Sequence, residues 1–92
     1  MEKIKNYING KLVESNSGNY IDNYNPASGK VYSLVPDSNE DDINAAVLAA
    51  NTAFQSWSKT SKKYRSDLLM RLASKIEAYS EELIIAESRD NG

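Results

Sequence analysis

The stretch "LVPDSNEDDINAAVLAANTAFQSW", Leu34 to Trp57, decides the fold class, because the spacing of its apolar residues changes partway along. Leu34 and Val35 close a strand-like segment, and Pro36 ends it. Beyond Pro36, Ile43, Ala46, Val47, Ala50, Ala53, Phe54 and Trp57 recur at spacings of three and four. That period lines one face of a helix along about five turns. Ser38, with Asp41 three residues later, reads as a capping box, and Glu40, Asp41 and Asp42 place negative charge at the positive end of the helix dipole. A helix is therefore predicted from near Asn39.

Upstream, the chain alternates and turns. In "NYINGKLVE", Tyr7, Ile8, Leu12 and Val13 flank Asn9-Gly10, a pair that accepts the positive φ of a tight hairpin. After the polar spacer "SNSGN", a second hairpin is predicted, with Tyr20, Ile21 and Tyr24 facing Val31, Leu34 and Val35 across a wider turn, Pro26 to Gly29. Downstream, Thr60 or Ser61 can cap a second helix whose stripe is Leu68, Leu69, Leu72, Ala73 and Ile76, running to about Ala78. Ser80 can cap a third, "EELIIAESR", with Glu81 and Glu82 in its first turn and Arg89 in its last. Asn91-Gly92 then suits a left-handed C-cap.

Strands followed by helices give an α+β reading: two short β-hairpins over residues 1–37 and three helices over residues 38–92. With 92 residues, one small domain is the most that can be expected, and its core is marginal. Four short strands make a small sheet, so three amphipathic helices are short of surfaces to cover.

Composition excludes several chemistries. There is no cysteine and no histidine, which removes the thiol nucleophile, the commonest metal ligands and the side chain best suited to proton transfer near neutral pH. A net charge of -2 disfavours nucleic acid and anionic membranes as partners. No apolar run has the length of a signal peptide or a membrane span, so a cytoplasmic protein is the expectation.

Among candidate sites, Lys59, Lys62, Lys63 and Arg65 could grip a phosphate or an acidic partner beside Tyr64, or simply form a solvated inter-helix segment, which the acidic balance favours. Glu40, Asp41, Asp42, Glu81 and Glu82 could ligate a hard cation, yet their places at helix starts already account for them. "NPASG" and "DNG" could each cradle a ligand with backbone groups, and each is also an ordinary turn or cap.

The segments "YINGKLVES", "YNPASGKVYSLVPDS", "DINAAVLAANTAFQSWSK" and "YRSDLLMRLASKIEAYSEELIIAESRDNG", in that order, resemble the beginning of the NAD(P)-dependent aldehyde dehydrogenase superfamily across nearly the whole chain. Asn9-Gly10, Asn25-Pro26, Gly29, Ala46, Ala49-Ala50, Ala53-Phe54, Trp57, Arg65, Leu68-Leu69, Ala73, Glu87 and Asp90 to Gly92 match the family pattern in order. "GKVYSLVPDS" and "AESRDNG" look most like the branch acting on muconic semialdehydes. The resemblance implies the outer, early part of a cofactor-binding domain of the α/β aldehyde dehydrogenase fold, in an enzyme that oxidises aldehydes to carboxylic acids.

In such enzymes a cysteine attacks the aldehyde, hydride passes to NAD or NADP, and a glutamate activates water. Those residues and the cofactor-binding glycines and lysine belong to later segments of the family. No catalytic residue and no cofactor are therefore expected for this chain alone, and its partners would be the remainder of the dehydrogenase chain and, in the parent, identical subunits and a small aldehyde. The resemblance also implies a monovalent cation site formed by carbonyls of Asn23 and Tyr24 and by the Asp90 carboxylate, usually completed by a later carbonyl. A truncated paralogue or binding module, docking its helix stripes on a full-length subunit, is the alternative. In the family "DNG" is a junction followed at once by Lys-Pro.

Overall fold

β5, Lys30–Pro36, is the central strand of a computed structural model that describes all residues, Met1–Gly92. It pairs antiparallel with β4, Tyr20–Asn25, and parallel with the two-residue β1, Glu2–Lys3, giving the order β1-β5-β4. β2, Asn6–Ile8, and β3, Lys11–Val13, form a separate hairpin. Asn9 at φ 53° and Gly10 at φ 76° supply the two left-handed residues that a two-residue turn between twisted strands requires. Both predicted hairpins are present. β1 was not foreseen, since Glu2-Lys3 carries no strand signal and is recruited only by the free edge of β5.

Register in the β4–β5 pair slips between Asn23 and Tyr24: Asn23 lies opposite Ser33, while Tyr24 lies opposite Val31. Tyr32 is therefore an extra residue with no cross-strand partner. Such a bulge bends the strand and re-aims side chains.

The helices are α1, Glu40–Trp57, α2, Lys62–Ala78, and α3, Ser80–Asn91. The capping box of α1 falls one residue later than expected, on Asn39 and Asp42 instead of Ser38 and Asp41. Asp42 N donates to Asn39 Oδ1 at 3.2 Å, and Asn39 N donates to Asp42 Oδ2 at 2.9 Å. Ser38 is engaged elsewhere, accepting a hydrogen bond from Asn6 Nδ2 at 2.8 Å. Ser61 caps α2, accepting from Tyr64 N at 3.1 Å. Ser80 does not cap α3. Tyr79 occupies the cap position and no side chain bonds there, because α3 follows α2 after a single non-helical residue.

Burial is sparse. Only Ser15, Ser33 and Asp42 are buried, and no hydrophobic residue is. The predicted stripes are in place but uncovered: Ile43, Val47 and Phe54 on α1, Leu69 and Ile76 on α2 and Leu83 on α3 are all exposed. Between α1 and α2 the clearest contact is an edge-on meeting of the Trp57 and Tyr64 rings, 6.3 Å apart. The radius of gyration is 16.7 Å, against about 12 Å for a compact domain of this length. Accessible surface is 7510 Å², against about 5,300 Å² for a folded monomer of this mass.

Candidate functional site

Two polar junctions tie the helices to the strands. At the first, the loop after β3 wraps the start of α1. Asn16 N donates to Asp42 Oδ1 at 2.8 Å and Asn16 Nδ2 to Asp41 Oδ2 at 3.1 Å. Ser17 Oγ donates to the Asp37 carbonyl at 3.1 Å, and Asp37 N to the Asn19 carbonyl at 2.9 Å. The spacer "SNSGN" is thus a structural knot, and Asp42 has its hydrogen bonds filled by its own helix cap and by Asn16. An open groove of about 280 Å³ lies alongside, lined by Tyr7, Ile8, Ile43 and Ala46 among others.

The second junction holds the candidate site. Asp90, in the last turn of α3, accepts hydrogen bonds on one oxygen, Oδ1, from Tyr32 Oη at 2.8 Å and from Asn23 Nδ2 at 3.2 Å. The same Asn23 amide reaches Ser33 Oγ at 3.0 Å, and Ser33 is wholly buried in the central strand. The Arg89 guanidinium lies over the Tyr32 ring, 5.1 Å from its centre. Gly92, at φ 77°, closes the helix against the "NPASG" turn, so near that an added Cβ would stand 3.2 Å from Pro26 Cβ. The turn itself is held by Asn25, whose Oδ1 accepts from Ala27 N at 3.0 Å.

The bulge explains this convergence. Opposite Asn23, β5 presents Ser33 and the supernumerary Tyr32, so three polar side chains from two strands gather at the end of α3. A carboxylate at a helix C-terminus faces the negative end of the dipole. The donated hydrogen bonds outweigh that: Tyr32 first, then Asn23, hold the Asp90 carboxyl below its ordinary value of 3.8, although partial desolvation works the other way. The Tyr32 phenol is raised above 10.0, chiefly because ionising it would forfeit the bond to Asp90.

Of the residues expected at a cation site, the structure brings Asn23 and Asp90 into direct contact through the Asn23 side chain. Tyr24 follows Asn23 at the bulge and is more than half exposed. Sequence reasoning assigns Tyr32 no part in any site. Nothing local marks it, because its role depends on a one-residue slip in pairing. In the basic cluster, Arg65 Nη1 donates to the Thr60 carbonyl at 2.7 Å and so braces the α1–α2 connection, while Lys63 pairs with Asp67 at 2.9 Å on the exposed face of α2. No group of three or more acidic side chains is arranged to hold a metal ion, and no helix is long and apolar enough to cross a membrane.

Nearly the whole chain is similar in sequence and fold to known proteins. A profile of the Aldehyde dehydrogenase family matches residues 12–92, and the chain belongs to that family. It is 48% identical over 89 residues to the 2-aminomuconic semialdehyde dehydrogenase of Mus musculus, covering 97% of this chain and 18% of that protein. A long-chain-aldehyde dehydrogenase of an Acinetobacter species is 40% identical over 91 residues, 99% of this chain and 18% of the relative. A solved structure of an aldehyde dehydrogenase from Bacillus cereus superposes with a TM-score of 0.93 at 42% identity, over 99% of this chain and 19% of that one. The chain thus spans about a fifth of the length of the relatives it matches.

Proposed function

We propose that residues 1–92 form the N-terminal part of the cofactor-binding domain of an enzyme that oxidises an aldehyde to a carboxylic acid with NAD or NADP, and that this segment alone is inactive. The observation that carries the reading is a set of well-formed helices whose apolar faces are left largely uncovered, in a chain aligned with a fifth of a larger enzyme. The surface exceeds that of a compact monomer by about 2,200 Å², well above the roughly 800 Å² that one partner contributes to an ordinary transient interface. Burial on that scale fits the interior of a domain completed by the remainder of a dehydrogenase chain.

Within that enzyme these residues supply framework. They offer no cysteine to attack the aldehyde. The bound nicotinamide would accept the hydride, and the junctions at Asp42 and Asp90 would hold the outer helices in place. The substrate reading is a muconic-type semialdehyde, supported by 46 to 48% identity to four 2-aminomuconic semialdehyde dehydrogenases against 40 to 44% for other dehydrogenases of the family. A cytoplasmic assembly of identical subunits belongs to the same reading and rests on the family resemblance.

A monovalent cation at the Asn23 and Tyr24 carbonyls and the Asp90 carboxylate completes it. The donor chemistry fits: both hydrogen bonds to Asp90 fall on Oδ1, which leaves Oδ2 available, and an all-oxygen set with one carboxylate suits a hard ion of low charge.

The test is complementation. The chain mixed with NAD and an aldehyde should form no reduced nicotinamide, whereas co-expression with the complementary four-fifths of a relative should restore it. Sustained turnover by the chain alone would overturn the proposal. The same uncovered faces would also suit a truncated paralogue that docks on an intact subunit; stable co-purification with a full-length dehydrogenase, without restored activity of a truncated one, would favour that second reading.

A further inference from the structure

We infer that Tyr32 is a positioning residue for Asp90: its phenol and the Asn23 amide clamp one carboxylate oxygen and thereby fix both the direction of the other oxygen and the path of the chain out of α3. The inference deepens the cation reading, because Oδ2 is the oxygen left to ligate, but the clamp itself does not depend on an ion.

Three observations carry it. α3 has no side-chain N-cap and buries no residue, so neither its start nor a packed face ties it down. Its attachment to the strands is concentrated at its end, where Arg89, Asp90 and Gly92 meet Tyr32, Asn23 and Pro26. The bulge places Tyr32 at this end when regular pairing would have set a residue in its position opposite a cross-strand neighbour. A rigid ring with one terminal donor, stacked beneath Arg89, delivers its hydroxyl at 2.8 Å with few rotatable bonds to restrain. The wholly buried Ser33 holds the second donor, Asn23, in the same way.

The experiment is a double-mutant cycle on the whole chain, with Tyr32→Phe, Asp90→Asn and the double variant, read by hydrogen exchange of the last-turn amides of α3. Tyr32→Phe keeps the ring under Arg89 and deletes only the donor. Protection there is expected to fall about tenfold in each single variant and little further in the double. Additive losses, or no loss in Tyr32→Phe, would overturn the inference, because a tyrosine that merely packs would not couple to the Asp90 carboxylate. Should a single variant also lose protection across β4 and β5, the same cycle is read from the unfolding midpoint: non-additive shifts support the clamp and additive ones overturn it.

Titration with sodium and potassium chloride, against a choline chloride control, separates the two claims. A stabilisation specific to one ion that weakens in Tyr32→Phe supports both. If the unaltered chain shows no ion-specific effect while the cycle remains non-additive, the cation reading fails and the clamp stands.

Discussion

Asp42 stands in the first turn of α1 and Asp90 in the last turn of α3, and each carboxylate ties its helix to the strand half of the molecule. Asp42 sits where the helix dipole welcomes negative charge, is buried, and takes its hydrogen bonds from backbone N–H groups of Asn39 and Asn16. Asp90 sits where the dipole opposes it, is exposed, and depends on side chains of Tyr32 and Asn23. A carboxylate at a helix start has the dipole and the N–H of Asn39, three residues away, on its side before the more distant Asn16 adds to them. One held against the dipole needs donors from distant strands, and such donors assemble only when the strands slip into the right register.

The largest effect should come from Asp42→Ala, which removes the carboxylate half of the capping box and leaves the Asn39 and Asn16 N–H groups without their acceptor: a loss of about 2–3 kcal/mol in denaturant unfolding. A smaller loss would place Asp42 with Asp90 as a surface tie and erase the contrast. Ser61→Ala at the start of α2, a cap with no tie to the strands, should cost about 1 kcal/mol by the same measurement.

Asp90 should instead reveal itself through pH. Its folded value lies below the ordinary 3.8, so its contribution is complete above that pH and disappears as pH falls through the lower folded value. Tyr32 gives the opposite limb: its value is raised, so its contribution is complete below pH 10.0 and is lost as pH rises through the higher folded value. Hydrogen-exchange profiles of the end of α3 should show both limbs, and Asp90→Asn should remove the acid limb and flatten the alkaline one. The smallest effect is expected for Lys63→Ala. Its pair with Asp67 is exposed on both sides, and breaking it should change unfolding by less than about 0.5 kcal/mol.

Much of the fold was legible because its signals are local. Asn9-Gly10 announces a turn, Ser61 a cap, Gly92 a helix end, and the stripe from Ile43 to Trp57 a helix, since each depends on residues within one or two turns of the chain. Where competing signals lay side by side, reading failed by a residue: Ser38 and Asn39 are both good caps, and only the engagement of Ser38 by Asn6 leaves Asn39 to do it. Of the residues gathered at the end of α3, Asn23 and Asp90 were singled out by the family resemblance, Asn23 for its carbonyl and not for the side-chain amide that makes the contact. Tyr32 was not, because a bulge shifts pairing by one residue without any mark in composition.

The sequence by itself determined which segments become strand or helix, β1 excepted, which faces are apolar, and that no cysteine or histidine chemistry resides here, since these follow from backbone preference, periodicity and residue inventory. Only the tertiary structure decided that Asp42 is buried beneath Asn16, that Tyr32 reaches Asp90 across 58 residues of chain, and that the apolar faces stay open. Contacts of that kind depend on register and on which surfaces are present to be covered, and neither quantity is written at any single place along the chain.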